Sequence, residues 1–171
     1  LIFDDFEDIL FRNHSLGHNI LGTPKHIKQF TTASGRSFTE RYYHPSNAVL
    51  FVYGNIPFSR IVLWAERFTA DIPSGNANTG RTAPLPYVPR QVELTRHTHQ
   101  THVMMGSVGY PSGDRRRTGL YLLNNMIGGP GMNSRLNLAL REHSGLVYNV
   151  ESNLTSYTDT GIFNIYFGTD A

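Results

Sequence analysis

The hydrophobic positions change period several times along the chain, and each change marks an element. Ile2, Phe6, Ile9 and Leu10 share one helical face in LIFDDFEDILF, which predicts the tail of a helix over 1–11. HSLGHNILG, at 14–22, carries two glycine breakers and reads as a loop. Thr23-Pro24 sets a capping hydroxyl before a first-turn proline and opens a short helix bearing Ile27 and Phe30. Thr32 is the expected cap of a following helix running to Tyr42 or Tyr43, and Pro45 disfavours helix at His44. NAVLFVYG, at 47–54, is an apolar run closed by glycine and predicts a buried strand. Beyond Pro57, residues Ile61, Trp64, Ala65 and Phe68 recur at helical spacing, so a helix with Trp64 in the core is expected.

Residues 71–90 show no periodicity and carry Pro73, Pro84, Pro86, Pro89, Gly75 and Gly80. They read as a linker between domains, because so long a structureless stretch is unusual inside one. QVELTRHTHQTHVMMGSVGYP, at 91–111, predicts one long strand or two short ones. Asp114 caps a helix carrying Leu120, Leu123 and Ile127, which GGPG at 128–131 breaks. Asn133 is the expected cap of the next helix, with Leu136 and Leu140 facing in and Gly145 as its stop. Residues 146–157 and 162–168 predict a hairpin around Thr158-Asp159-Thr160-Gly161. Helices and strands mix in both halves, so the class is α+β or α/β. The division is 1–70, a linker at 71–90, and 91–171.

Charge and composition narrow the partners. A formal charge of +2 is too small to argue for nucleic acid, and Arg115, Arg116 and Arg117 read as a solvated first helical turn. No apolar run approaches the roughly 18 residues of a membrane span. Without cysteine there are no disulfides or thiolate metal sites, and the redox compartment is open. The triplets Asn13-His14-Ser15 and Asn153-Leu154-Thr155 are too common by chance to weigh. The chain opens at Leu1 within an uncapped apolar and acidic segment, which reads as a cut end.

Four constellations carry candidate chemistry. His97, His99 and His102 form a tempting metal triad, but on a strand His97 and His99 point to one face and His102 to the other, so the structural reading is preferred. Neither HExxH nor HxxEH occurs, and no metal ligand is assigned within the chain. The glycines of GGPG, namely Gly128, Gly129 and Gly131, read as a plain helix–helix turn, since the lysine and the preceding strand of a phosphate loop are missing. Arg141 and Tyr148 stand on either side of Gly145. An arginine fork and a phenol can together donate to a peptide carbonyl that becomes an oxyanion; the alternative is a surface arginine and an unrelated strand tyrosine.

The run NSRLNLALREHSGLVYNVESNLTSYTDTGIFNIYFGTD resembles the second domain of the pitrilysin/insulinase-type zinc metallopeptidases, which include the mitochondrial processing peptidases. LREHSGLVYNV is similar to that family's Leu-Arg-…-Gly-Leu-x-Tyr-x-Val signature. HSLGHNILG resembles its His-Pro-Leu-Gly stretch with Ser15 in place of proline, which implies a structural loop for His14 and His18 rather than ligands. IFDDFEDILFRNHSLGHNILGT and YYHPSNAVLFVYGNI also find counterparts in the right order.

The resemblance implies an α+β protein with two domains, both incomplete here, each with helices packed on one face of an antiparallel sheet. It implies a zinc endopeptidase acting on peptides or unfolded proteins. Its zinc, HxxEH motif and general-base glutamate lie outside this chain, so the chain itself is expected to hold no zinc and to be inactive. Arg141 and Tyr148 become catalytic residues clamping the scissile carbonyl, and Gly128, Gly129 and Gly131 border the substrate. A homodimer or paired family subunit is implied; the localisation is left unknown, with a soluble protein of bacterial cytoplasm or periplasm in view. The rival is a non-catalytic family member acting as scaffold or partner subunit. A third reading is a metal module built on His97, His99 and His102.

Overall fold

The computed structural model describes residues 2–75, 80–96 and 98–170. His97 of the histidine triad and residues 76–79 of the expected linker lie outside them. The chain divides into two compact units, Leu1–Leu21 with Thr82–Ala171, and Gly22–Arg81.

The first unit is built on three antiparallel strands in the order β1-β3-β2: β1 (Gln100–Gly109), β2 (Asn149–Ser156) and β3 (Gly161–Asp170). The hairpin is closed where the Tyr157 N–H donates to the Thr160 carbonyl at 2.9 Å. The central strand fixes two faces. Ile162, Asn164 and Tyr166 pair with Val108, Gly106 and Met104 on one side and with Thr155, Asn153 and Glu151 on the other. Alternation puts Ile165 and its partners Met105 and Ser152 on the opposite face.

Each face receives a helix. α1 (Ile2–Leu10) lies on the Ile162 face, where Leu10, Phe11 and Ile162 are buried and Phe6, Leu16, Tyr87 and Tyr157 pack around them. Phe3 meets Tyr166 ring to ring at 5.3 Å. Arg96 clamps Asp5 of the same helix, donating to both carboxylate oxygens at 2.9 and 2.7 Å. α5, the fifth helix in chain order (Arg116–Gly128), covers the Ser152 face, where the Ser152 hydroxyl donates to the Asn124 carbonyl at 2.8 Å. Arg115, not the expected Asp114, holds the N-cap position of this helix, and the Asp114 carboxylate just ahead of it receives the Arg116 N–H at 2.8 Å. The α+β class is thus realised.

The second unit holds α2 (Pro24–Ile27), α3 (Thr32–Tyr42) and α4 (Phe58–Thr69). Thr23 caps α2 through the His26 N–H, with Pro24 in the first turn. The cap of α3 is Thr31 rather than Thr32, because Thr31 and Ser34 satisfy each other's backbone N–H groups in a capping box.

Two expectations in this unit fail for one reason. Residues 47–54 form no strand: Val49, Phe51 and Tyr53 are 96%, 84% and 94% exposed. Trp64 is 40% exposed under the Arg60 guanidinium, with Leu63 and Phe68 of α4 more open still. A strand exists only as one rail of a ladder and an apolar helix face is buried only against another layer; among the described residues neither partner is present.

Candidate functional site

Arg141 and Tyr148 are set by one short stretch of chain. The helix preceding the turn widens into π geometry over Asn137–His143, a rare form that occurs often at functional sites. Its end is a glycine C-cap widened by the same one residue. The Gly145 N–H donates to the Arg141 carbonyl at 3.1 Å and the Leu146 N–H to the Leu140 carbonyl at 2.8 Å. Gly145 adopts φ +59°, the left-handed conformation that such a stop requires. The Ser144 hydroxyl also donates back, to the Ala139 carbonyl at 2.7 Å.

The chain that leaves the cap is then tied to the end of β3 by three bonds. The Thr169 hydroxyl donates to the Leu146 carbonyl at 2.7 Å. The Tyr148 N–H donates to the Gly168 carbonyl at 3.0 Å. The Tyr148 phenol donates to Asp170, with both carboxylate oxygens at 2.8 Å. Asp170 was not singled out from the sequence; only its tertiary place reveals it. Its acceptance of the hydroxyl hydrogen, reinforced by its charge, raises the Tyr148 pKa above the ordinary phenol value.

The two side chains are therefore in different states. The Arg141 guanidinium has Glu142 as its nearest carboxylate, at 3.7 Å from Nε, and makes no hydrogen bond among the described residues. Both Arg141 and Tyr148 are exposed, Tyr148 by 57%. One presents unused donors; the other has committed its only donor.

The three glycines separate in the same way. Gly128 and Gly129 are buried. A Cβ on Gly128 would lie 2.8 Å from the Ser152 nitrogen, and one on Gly129 would lie 2.7 Å from Asn125 Cα. Gly128 seats the end of α5 against β2, Gly129 turns the chain close over the last turn of α5 itself, and only Gly131 of the three is open to solvent.

The histidines are also placed. His14 Nδ1 accepts the Leu16 N–H at 3.2 Å, so Nε2 carries the hydrogen it shares with the Thr82 carbonyl at 2.8 Å. Both ring nitrogens thus serve the loop. His102 Nδ1 is 2.9 Å from the Tyr166 hydroxyl, with the rings stacked. Among the described residues, no group of three His, Cys, Asp or Glu side chains is arranged to hold a metal ion. The described part of the chain does not fit a zinc site.

The chain is α+β, with Tyr148 just ahead of β2, and comparison with known proteins gives its family. The chain belongs to the peptidase M16 family: residues 29–171 match a description that reads "Peptidase M16 inactive domain". It is 36% identical over 171 residues to a Bacillus subtilis protein named uncharacterized zinc protease YmxG, covering all of this chain and 41% of that one. A Rickettsia felis protein named uncharacterized zinc protease is 32% identical, with 99% of this chain and 40% of that one covered. The chain thus spans about two fifths of the length of the curated relatives it matches. Among solved structures, the peptidase M16 inactive domain from Pseudomonas fluorescens superposes with TM-score 0.91 at 27% identity, over 99% of this chain and 41% of that one. A protease from Helicobacter pylori shares the fold at TM-score 0.80 and 18% identity, covering 96% of this chain and 41% of that one.

Proposed function

We propose that this chain is part of a longer zinc-dependent metalloendopeptidase that cleaves peptides or unfolded proteins, and that it supplies the wall opposite the metal. The supporting observation is the full-chain likeness to proteins named zinc proteases, joined to the exposed donors of Arg141. The chain carries neither HExxH nor HxxEH, and we assign the metal site and the general base to the rest of the longer protein. The first domain of that protein ends within this chain and the second begins after residues 71–90, and a homodimer or a paired family subunit completes the chamber.

This chain's own contribution is to bind and orient. Arg141 donates to the scissile carbonyl and holds it more tightly as negative charge develops. Tyr148 contacts the same stretch of substrate main chain, and Gly131, on the open side of its loop, borders it. Replacing Arg141 by alanine in the intact protein lowers kcat by about 10²- to 10³-fold, the range for a lost oxyanion donor. Arg141→Lys rescues poorly, because an ammonium cannot present the planar fork. Zinc content and thermal midpoint stay at wild type. Unchanged kcat in Arg141→Ala, with peptidase activity present, removes the role.

The second reading is a non-catalytic family member acting as scaffold or partner subunit, favoured by the words "inactive domain" in the matching description. An intact protein that binds no zinc and cleaves no peptide supports it.

A further inference from the structure

We propose that the cleft between α1 and β1 is a binding site for a small aromatic hydroxy acid: Arg90 pairs with the carboxylate, Phe6, Ile9, Leu10, Val88 and Pro89 hold the ring, and Asn164 takes the hydroxyl at its far end. All of these residues belong to the first unit. Asn164 stands four residues along β3 from Gly168, about 13 Å from the strand position that ties Tyr148. The site is therefore separate from the one proposed for peptide, and it does not rest on that reading.

Size and lining set the body of the ligand. The cleft holds about 130 Å³. A cavity of roughly 150 Å³ lined by aliphatic and aromatic side chains takes benzene. One six-membered ring thus matches the space, and the side chains around it are apolar.

The inner end is polar and unspent. Gly106 of β1 lines the cleft, and Asn164 is its ladder partner on β3. A Cβ at 106 would run into the Phe163 carbonyl oxygen and lie 2.8 Å from Asn164 Cα. No side chain can stand there, so the cleft reaches down to the strand itself. Asn164 shares the α1 face with Ile162 and Tyr166 and is only 7% exposed. Its Oδ1 is buried and makes no hydrogen bond among the described residues. A buried polar group left unmet is costly, so a ligand that reaches it gains from the start. A hydroxyl both donates and accepts, and so satisfies a carboxamide from either side.

The outer end is cationic. Arg90 lines the cleft, is exposed, and makes no hydrogen bond or ion pair among the described residues. Asp5 of α1 is already taken by Arg96. The Arg90 fork is thus open to a carboxylate, which it can hold by two parallel bonds. From exposed to buried the order is cation, apolar wall, carboxamide. A ring with an acid at one end and a hydroxyl at the other has the complementary order.

The probe is 4-hydroxybenzoate, titrated into the intact protein and followed by calorimetry and by the methyl resonances of Ile9, Leu10 and Val88. Saturable binding of one molecule per chain is expected, with shifts at those methyls. Benzoate, which lacks the hydroxyl, is expected to bind about fivefold more weakly, the worth of one ordinary hydrogen bond. The uncharged 4-hydroxybenzyl alcohol is expected to lose about tenfold or more, since a charge-assisted pair is gone. Arg90→Gln, at an exposed position, is expected to impose that same loss on 4-hydroxybenzoate and to leave the alcohol unchanged. Asn164→Leu is expected to abolish the preference for 4-hydroxybenzoate over benzoate; should that variant fail to fold, the two ligands compared on the unchanged protein read the same contact. No saturable binding of millimolar 4-hydroxybenzoate overturns the proposal, as does binding that leaves the three methyls unshifted. Equal affinity for the acid and the alcohol overturns the role of Arg90. Equal affinity for benzoate and 4-hydroxybenzoate overturns the role of Asn164, as does a hydroxyl preference that survives in Asn164→Leu.

Discussion

Replacing Gly145 by alanine isolates the backbone energy of the turn that joins Arg141 to Tyr148. An added Cβ at 145 meets no atom within 4 Å, so the substitution brings no clash. What remains is φ +59°, where the Cβ of an L-residue crowds its own carbonyl at a cost of about 1–2 kcal/mol. Two cap bonds limit how that strain can be relieved, Gly145 to Arg141 and Leu146 to Leu140. Giving both up would cost about 1 kcal/mol each, so the chain keeps the turn and carries the strain instead. Alanine is therefore expected to destabilise by about 1–2 kcal/mol in urea unfolding, and asparagine, which tolerates this conformation better, by less. D-alanine, introduced by ligation, is expected to match or exceed glycine, since its preferred φ is positive and it narrows the unfolded ensemble. A neutral Gly145→Ala would refute the strain argument. So would asparagine proving worse than alanine, because that order tracks side-chain size rather than φ.

Further expectations concern packing and charge. Gly128→Ala forces α5 off β2, since the new Cβ would sit 2.8 Å from the Ser152 nitrogen; a loss of about 1–3 kcal/mol is expected, and Ser152→Ala does not rescue it because the nitrogen stays. Full rescue by Ser152→Ala would show that the hydroxyl, not the backbone, is the obstacle. Burial on α1, helped by the charge of Asp4, raises the Glu7 pKa. Folding therefore favours the protonated form, and its stability contribution is lost as pH rises through the raised folded value. Glu7→Gln is expected to raise the thermal midpoint at pH 7 and to change it little near pH 3, below the ordinary carboxylate range. Equal shifts at both pH values would remove the desolvation account.

What the sequence revealed was mostly local. Of the helical face Ile2, Phe6, Ile9 and Leu10, Leu10 is in the core and Phe6 packs against it, because a short-range period of 3.6 is visible in any window. The hairpin over 149–170 and the stop at Gly145 are equally legible, since turn chemistry sits within a few residues. The failures are of another kind. NAVLFVYG has the composition of a buried strand, yet composition names a need and not a partner, and the segment stands open. Thr32 was the expected cap, and Ser34 moves it to Thr31, because its hydroxyl completes a box with the earlier threonine. The π widening at Asn137–His143 leaves no mark that a 3.6-residue pattern would register. In the candidate site, Arg141 and Tyr148 were visible through spacing and resemblance. Asp170 was not, since nothing local distinguishes a strand-end aspartate twenty-two residues downstream.

The two candidate side chains are held by different physics, and this bears on how the site works. Arg141 is placed by bonds that span four to six residues, Gly145 to Arg141 and Leu146 to Leu140, so its position is a property of one helix end. Tyr148 is placed by bonds that span about twenty residues, to Gly168 and Asp170, so its position is a property of the sheet. Strain introduced at Gly145 acts first on the arginine, whereas a change in β3 acts first on the phenol. The arginine keeps a long, exposed stem and unspent donors. The phenol is anchored through its own backbone N–H and its hydroxyl, and is polarised by a carboxylate. The difference in anchoring follows from where their hydrogen bonds lead, and Gly145 is the joint at which the two kinds of anchoring meet.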